Sequence, residues 1–194
     1  MDLEEAVKKG VAEGEAIVNL MLRYILSGAV AVLAFGFLRG SGFAFLIVGK
    51  EKAEVSWLLT SVLMIVIGVA LYSFHKSLPH VFIFRLILQR LIRNNSLQDQ
   101  IADLEDRLAT ARFERRAAKH DPLQRRIDAL IAETHFLYVS GWALLGAVAA
   151  TQLLGTTFGR GTILALAIFA VVFVAALNHH WNTASLEVSN LPNK

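Results

Sequence analysis

The stretch HKSLPHVFIFRLILQRLIRNNSLQDQIADLEDRLATARFERRAAKHDPLQRRIDALIAET, residues 75–134, is the only long polar segment of the chain. It lies between two blocks of nearly continuous apolar sequence, so its reading decides the fold. Pro79 breaks any helix that arrives from the preceding apolar run. From His80 to Arg93 the pattern is that of a basic amphipathic helix, with Arg85, Gln89 and Arg93 at helical spacing and Arg90 beside them. Such a helix is expected to lie in a membrane interface, with its arginines towards anionic headgroups.

After Asn94 and Asn95 the character changes. Ser96 and Asp99 resemble a capping box. Leu97, Ile101, Leu104, Leu108 and Ala111 then step 4, 3, 4 and 3 residues along the chain, which is a heptad seam. His120, Asp121 and Pro122 predict a turn, with Pro122 at the first position of a return helix. Leu123, Ile127, Leu130 and Ile131 give that helix an apolar stripe, and it is expected to run straight into the next apolar block. The middle segment thus predicts an antiparallel helical hairpin. So narrow a pair is marginal alone, so Leu97, Ile101, Leu104, Leu108, Leu123, Ile127 and Leu130 are expected to face other copies of the chain or a cytoplasmic protein partner.

On either side, four apolar runs are long enough to cross a bilayer, at about 17–20 residues each. They cover roughly Leu20–Leu38, Val55–Phe74, Phe136–Gly155 and Thr162–Asn178. The composition agrees: 55% of the 194 residues are apolar and the mean hydropathy is +0.52, whereas soluble domains are about 45–50% apolar. Trp57, Trp142 and Trp181 near span ends suit interfacial anchoring, as do Arg85, Arg90 and Arg93. Gly36 and Gly40 form a GxxxG pair at the edge of the first span.

The expected architecture is an all-α membrane protein of four transmembrane helices in two hairpins. Residues 1–19 form an N-terminal amphipathic helix, 20–74 the first hairpin, 75–134 the polar middle, 135–181 the second hairpin and 182–194 a tail. Eleven of the 19 Lys and Arg lie between Lys76 and Arg126. The positive-inside rule therefore puts the middle segment and both termini in the cytoplasm, and the setting is a bacterial inner membrane. The acidic start of the chain does not resemble a secretory signal. Tyr24 to Gly28 and Tyr138 to Gly141 hint at a duplication of the two halves.

Chemistry-bearing motifs are sparse. There is no cysteine, which excludes disulfides, thiolate metal sites and cysteine nucleophiles. No charge lies deep within a span, which argues against a coupled transporter. No phosphate loop, HExxH or nucleophile elbow is present. His75, His80, His135, His179 and His180 all fall near one membrane surface. Of these His75, His135 and His180 are the candidates for a metal or haem site, but the spacing favours simple tolerance of histidine at an interface. No cofactor or metal is therefore expected. Arg115 and His120 share the R-x4-H spacing of HEPN ribonucleases, in a run so basic that the match carries little, and nucleic acid is not an expected partner. The layout, rather than any motif, resembles small multi-span proteins of bacterial anti-phage defence systems. The expected function is that of a non-enzymatic, oligomeric membrane anchor, sensor or assembly platform. An oligomeric channel gated through the hairpin is the first alternative, and a haem- or metal-binding membrane protein the second.

Overall fold

The structure is a computed structural model, and it describes residues 14, 17, 18, 20–39, 53–77, 79–91, 97–117, 122–155 and 158–191. All regular elements among the described residues are helices. A π-helical turn over Met21–Leu26 leads directly into α1, Ser27–Leu38. Then follow α2 (Ala53–Ser77), α3 (Pro79–Leu91), α4 (Leu97–Ala117), α5 (Pro122–Leu153) and α6 (Arg160–Ser189). The amphipathic helix expected over 1–19 lies outside the described residues except for Gly14, Ile17 and Val18, as do Arg93, the cap at Ser96 and the turn at His120. The side chains of Trp57 and Leu97 are likewise outside them.

Among the described residues, three helices are long and apolar enough to cross a membrane: the Thr60–Ser77 part of α2, α5 and α6. The first apolar helix, Tyr24–Leu38, is shorter. On α6, Ile163, Val171 and Val174 are exposed, the pattern of a helix that meets lipid rather than water.

The return helix and the third apolar run are one helix, α5, which starts at Pro122 and runs unbroken to Leu153. Gly155 turns the chain in the left-handed region, at φ 78°, where glycine meets no steric penalty. α6 does not stop at Trp181, after which a tail was expected, but continues to Ser189. Small residues let α5 and α6 lie close together. Gly141 and Ala143 are buried, and a Cβ on Gly141 would sit 3.6 Å from the Phe169 ring.

α1 and α2 approach more closely still. A Cβ on Gly28 would overlap the Met64 carbonyl, and one on Gly68 the Tyr24 carbonyl. The backbones therefore meet at Gly28 and Gly68, while Gly40 of the GxxxG pair lies outside the described residues. Replacing Gly28 by alanine should force α1 and α2 apart, at a cost of about 1–3 kcal/mol. The expected result is a lowered thermal midpoint and a separation of the Tyr24 and Tyr72 rings, which meet edge-on at 5.1 Å between centroids. An unchanged midpoint would contradict this packing.

The polar middle is arranged differently from the predicted hairpin. α3 stands against the C-terminal part of α6: Ile83 and Ile87 share a buried cluster with Tyr138, Ala176 and Ala184. α4 then covers α3, with Leu104 and Leu108 packed on Leu88 and beside Val188 and Leu191. Leu104 and Leu108 of the heptad seam thus pack on the chain's own α3 and the end of α6. Ile101, Leu104 and Leu108 are buried, as is Ile127, while Leu123 and Leu130 are half-buried. α3 does not lie with its whole apolar face towards lipid. One face is buried, and only Val81, Phe82 and Leu86 on another remain exposed.

Candidate functional site

Four histidines meet where α2, α3, α5 and α6 converge. His75 is near the end of α2 and His80 at the start of α3, on the two sides of the Pro79 break. His135 lies on α5 and His180 on α6. His75, His135 and His180 are buried and His80 is half-buried. Ring centroids lie 4.7 Å apart for His80 and His135, 5.3 Å for His75 and His135 and 5.5 Å for His75 and His80. In this trio one ring nitrogen from each residue lies within 4.8 Å of the others.

The trio differs from the one the sequence suggested. His80 takes the place of His180, which instead stacks its ring on His80 at 5.4 Å. The Nδ1 atom of His180 is 3.4 Å from the Tyr138 hydroxyl, while the His75 ring stacks on Tyr138 at 4.9 Å. His179 faces elsewhere, with Nε2 3.1 Å from the Glu133 carboxylate and Nδ1 2.9 Å from the Thr134 hydroxyl.

Within the trio, Nε2 of His75 and Nδ1 of His80 are buried without a hydrogen-bond partner. A buried polar atom left unsatisfied costs about 1–3 kcal/mol, so each calls for an explanation. The Trp142 indole N–H donates to Nδ1 of His75 at 3.3 Å. An indole can only donate, so this bond puts the His75 proton on Nε2, which then has no acceptor. Burial, followed by the Arg112 and Lys76 cations, lowers the pKa of His80 from 6.5 to about 4. At neutral pH its imidazole is uncharged, which is the form that binds metal ions.

The site opens into a pocket of about 300 Å³ lined by His80, His135, His180, Arg112, Glu187 and other residues. α4 supplies one wall through Arg112. Its Nε donates to one Glu187 oxygen at 2.6 Å and its Nη2 to the other at 2.5 Å. Glu187 is only 1% exposed and the Arg112 side chain 31%. The guanidinium also lies 5.8 Å from the centre of the Phe84 ring. One turn further on, Arg115 donates to the Asn190 carbonyl at 2.8 Å, at the C-terminal end of α6, where a cation suits the helix dipole.

The residues expected at the membrane interface have varied surroundings. Arg85 is 60% exposed and pairs with Glu105 at 3.2 Å, a surface bridge of the kind worth about 0–1 kcal/mol. Trp142 packs inward, edge-on to Phe74 and Phe173. Trp181 remains 37% exposed on α6, and Arg90 lines a groove between α3 and α6.

Arg112, Glu187 and the Trp142 contact to His75 are the site features that sequence reasoning missed. One signal was available: Glu187 is the only acidic residue after Glu133. The chain matches no known protein family, and no curated protein or solved structure is similar to it.

Proposed function

We propose that the chain is an integral membrane protein that binds a divalent first-row transition-metal ion through His75, His80 and His135. The carrying observation is the convergence of three imidazoles from three helices, with ring nitrogens within 4.8 Å of one another. All-imidazole sites suit zinc, copper, nickel, cobalt and iron. Tetrahedral bonds of about 2.0–2.1 Å place ligand nitrogens roughly 3.3 Å apart, so small ring rotations complete the site. Three protein ligands leave a fourth position for water or another ligand. Arg112 and Lys76 oppose a bound cation, but Glu187 offsets Arg112.

The proposal includes a sensor role. Glu187 lines the same pocket as His80 and His135. A bound dication competes with Arg112 for its carboxylate, which loosens the hold of α4. The membrane arrangement proposed is four spans in two hairpins, α1 with α2 and α5 with α6, with α3 and α4 on one side together with both ends of the described chain.

The test uses the full chain in detergent or nanodiscs, stripped with chelator and reloaded with Co²⁺ or Zn²⁺. One ion per chain should survive gel filtration, and Co²⁺ should show the strong visible bands of a tetrahedral site. Absence of retained metal would overturn the reading.

Trp142 offers a second prediction. Metal bound at Nε2 of His75 requires the proton on Nδ1, where it faces the indole N–H. Trp142→Phe removes that conflict and should raise the metal affinity by roughly three- to tenfold, the equivalent of one ordinary hydrogen bond. A chelator competition titration reads the change, and weaker binding would count against His75 as a ligand through Nε2.

A further inference from the structure

A second site lies on the outer side of α3, away from the histidines. A groove of about 790 Å³ runs between α3 and the C-terminal half of α6. Leu86, Val174 and Leu177 line it with exposed apolar surface, and Trp181 flanks them. Gln89, Arg90 and Asn178 supply the polar lining. No described residue lining it is acidic, so the Arg90 cation faces the groove without a carboxylate there.

The depth of each residue follows from helix geometry. A hydrocarbon core of about 30 Å is crossed by about 20 residues of helix at 1.5 Å each. Counting from Arg160, the start of α6, this reaches the level of Trp181, a residue type that prefers the headgroup boundary. Val174 and Leu177 are then at acyl-chain depth. α3 runs beside α6 in the same direction, because Phe84 stacks on His180 while Leu88 packs with Val188 and Leu191. Arg90 therefore stands roughly 10 Å beyond the boundary by the same rise, with a side chain long enough to reach back into the headgroup layer.

We propose that this groove binds one anionic phospholipid, with an acyl chain along Val174 and Leu177, Leu86 beside the boundary and the phosphate at Arg90. Apolar lining at chain depth and a cation without an acidic neighbour at headgroup depth match the two halves of such a lipid. Basic pockets between helices at a membrane surface are a recurrent form of lipid recognition. The site is independent of the metal reading, since the groove includes none of the histidines.

The test is native mass spectrometry of the full chain extracted from vesicles of phosphatidylcholine and phosphatidylglycerol in equal parts. One phosphatidylglycerol should stay bound per chain. Arg90→Gln should lower its retention about fivefold, the value of one basic residue near an anionic surface. Val174→Trp, which fills the acyl end while leaving all charges in place, should also lower it. Arg85→Gln, a change at an exposed arginine engaged with Glu105, should leave it unchanged. Equal retention of the two lipids, or equal losses from the Arg90 and Arg85 variants, would overturn the proposal. So would a dimer without bound lipid, which would place a second copy in the groove.

Discussion

Replacing His80 by alanine lowers the affinity for Co²⁺ or Zn²⁺ by at least about 100-fold, because removing a direct ligand costs no less than the 10–100-fold typical of an outer-shell partner. His80 is the decisive member of the trio. It is the one that Pro79 sets at the head of a new helix, and its ring lies within 5.5 Å of the rings of both His75 and His135. Nδ1 of His80 is buried with no hydrogen-bond partner, so the metal-free protein gains nothing from that atom. The alanine variant loses the ring packing on His180 but no hydrogen bond at that atom, and should stay folded while losing the ion. His179→Ala is the control. That ring is engaged with Glu133 and Thr134 and stands outside the trio, so its removal should leave stoichiometry and affinity unchanged. Equal loss in both variants would show that retained metal is scattered among surface imidazoles. The measurement is a chelator competition titration read by Co²⁺ absorption, with metal content by mass spectrometry as the second readout.

Arg112→Ala should be the most damaging single change to stability, at about 3–5 kcal/mol, the range for breaking a buried ion pair from one side. The asymmetry of the pair sets the direction. Glu187 is 1% exposed, whereas the Arg112 side chain is 31% exposed. Removing the arginine strands a carboxylate away from water. Removing the acid leaves a guanidinium that can turn to solvent, so Glu187→Gln should cost much less. A double change to apolar residues, Arg112→Met with Glu187→Leu, should recover most of the stability, since neither charge then remains buried. Thermal unfolding of the three variants gives the order. Hydrogen exchange locates the effect: amides of α4 should lose protection in Arg112→Ala before those of α5. If Glu187→Gln proves as harmful as Arg112→Ala, the carboxylate has a role besides pairing with Arg112.

Much of this fold was legible in the sequence because its strongest signals are local. Apolar runs of spanning length, a proline at position 79 and a return helix continuous with an apolar block each follow from a few neighbouring residues. The site was less legible because it is assembled from distant ones. His80 and His135 belong to α3 and α5, with all of α4 between them in the chain, yet their ring centroids are only 4.7 Å apart. No local spacing encodes that. Judged by spacing alone, histidines scattered along a chain look like interface residues. The same limit explains the seam of α4. A stripe of Leu104 and Leu108 states that a partner surface exists, but it does not state that Leu88 and the end of α6 provide it. The extension of α6 was hidden for another reason: Asn182 to Ser189 is too polar to read as part of a span, yet the helix needs no lipid there because α3 and α4 flank it.

The unbroken course of α6 has a mechanical consequence. From Arg160 to Glu187 is about 40 Å at the rise of an α-helix, with no proline between them to absorb a bend. Such a rod acts as a lever. A tilt of only about 5° pivoting at Arg160 carries Glu187 sideways by roughly 3.5 Å on that length, more than the length of its bonds to Arg112. Any force that tilts α6 about its Arg160 end would thus reach the ion pair with amplification.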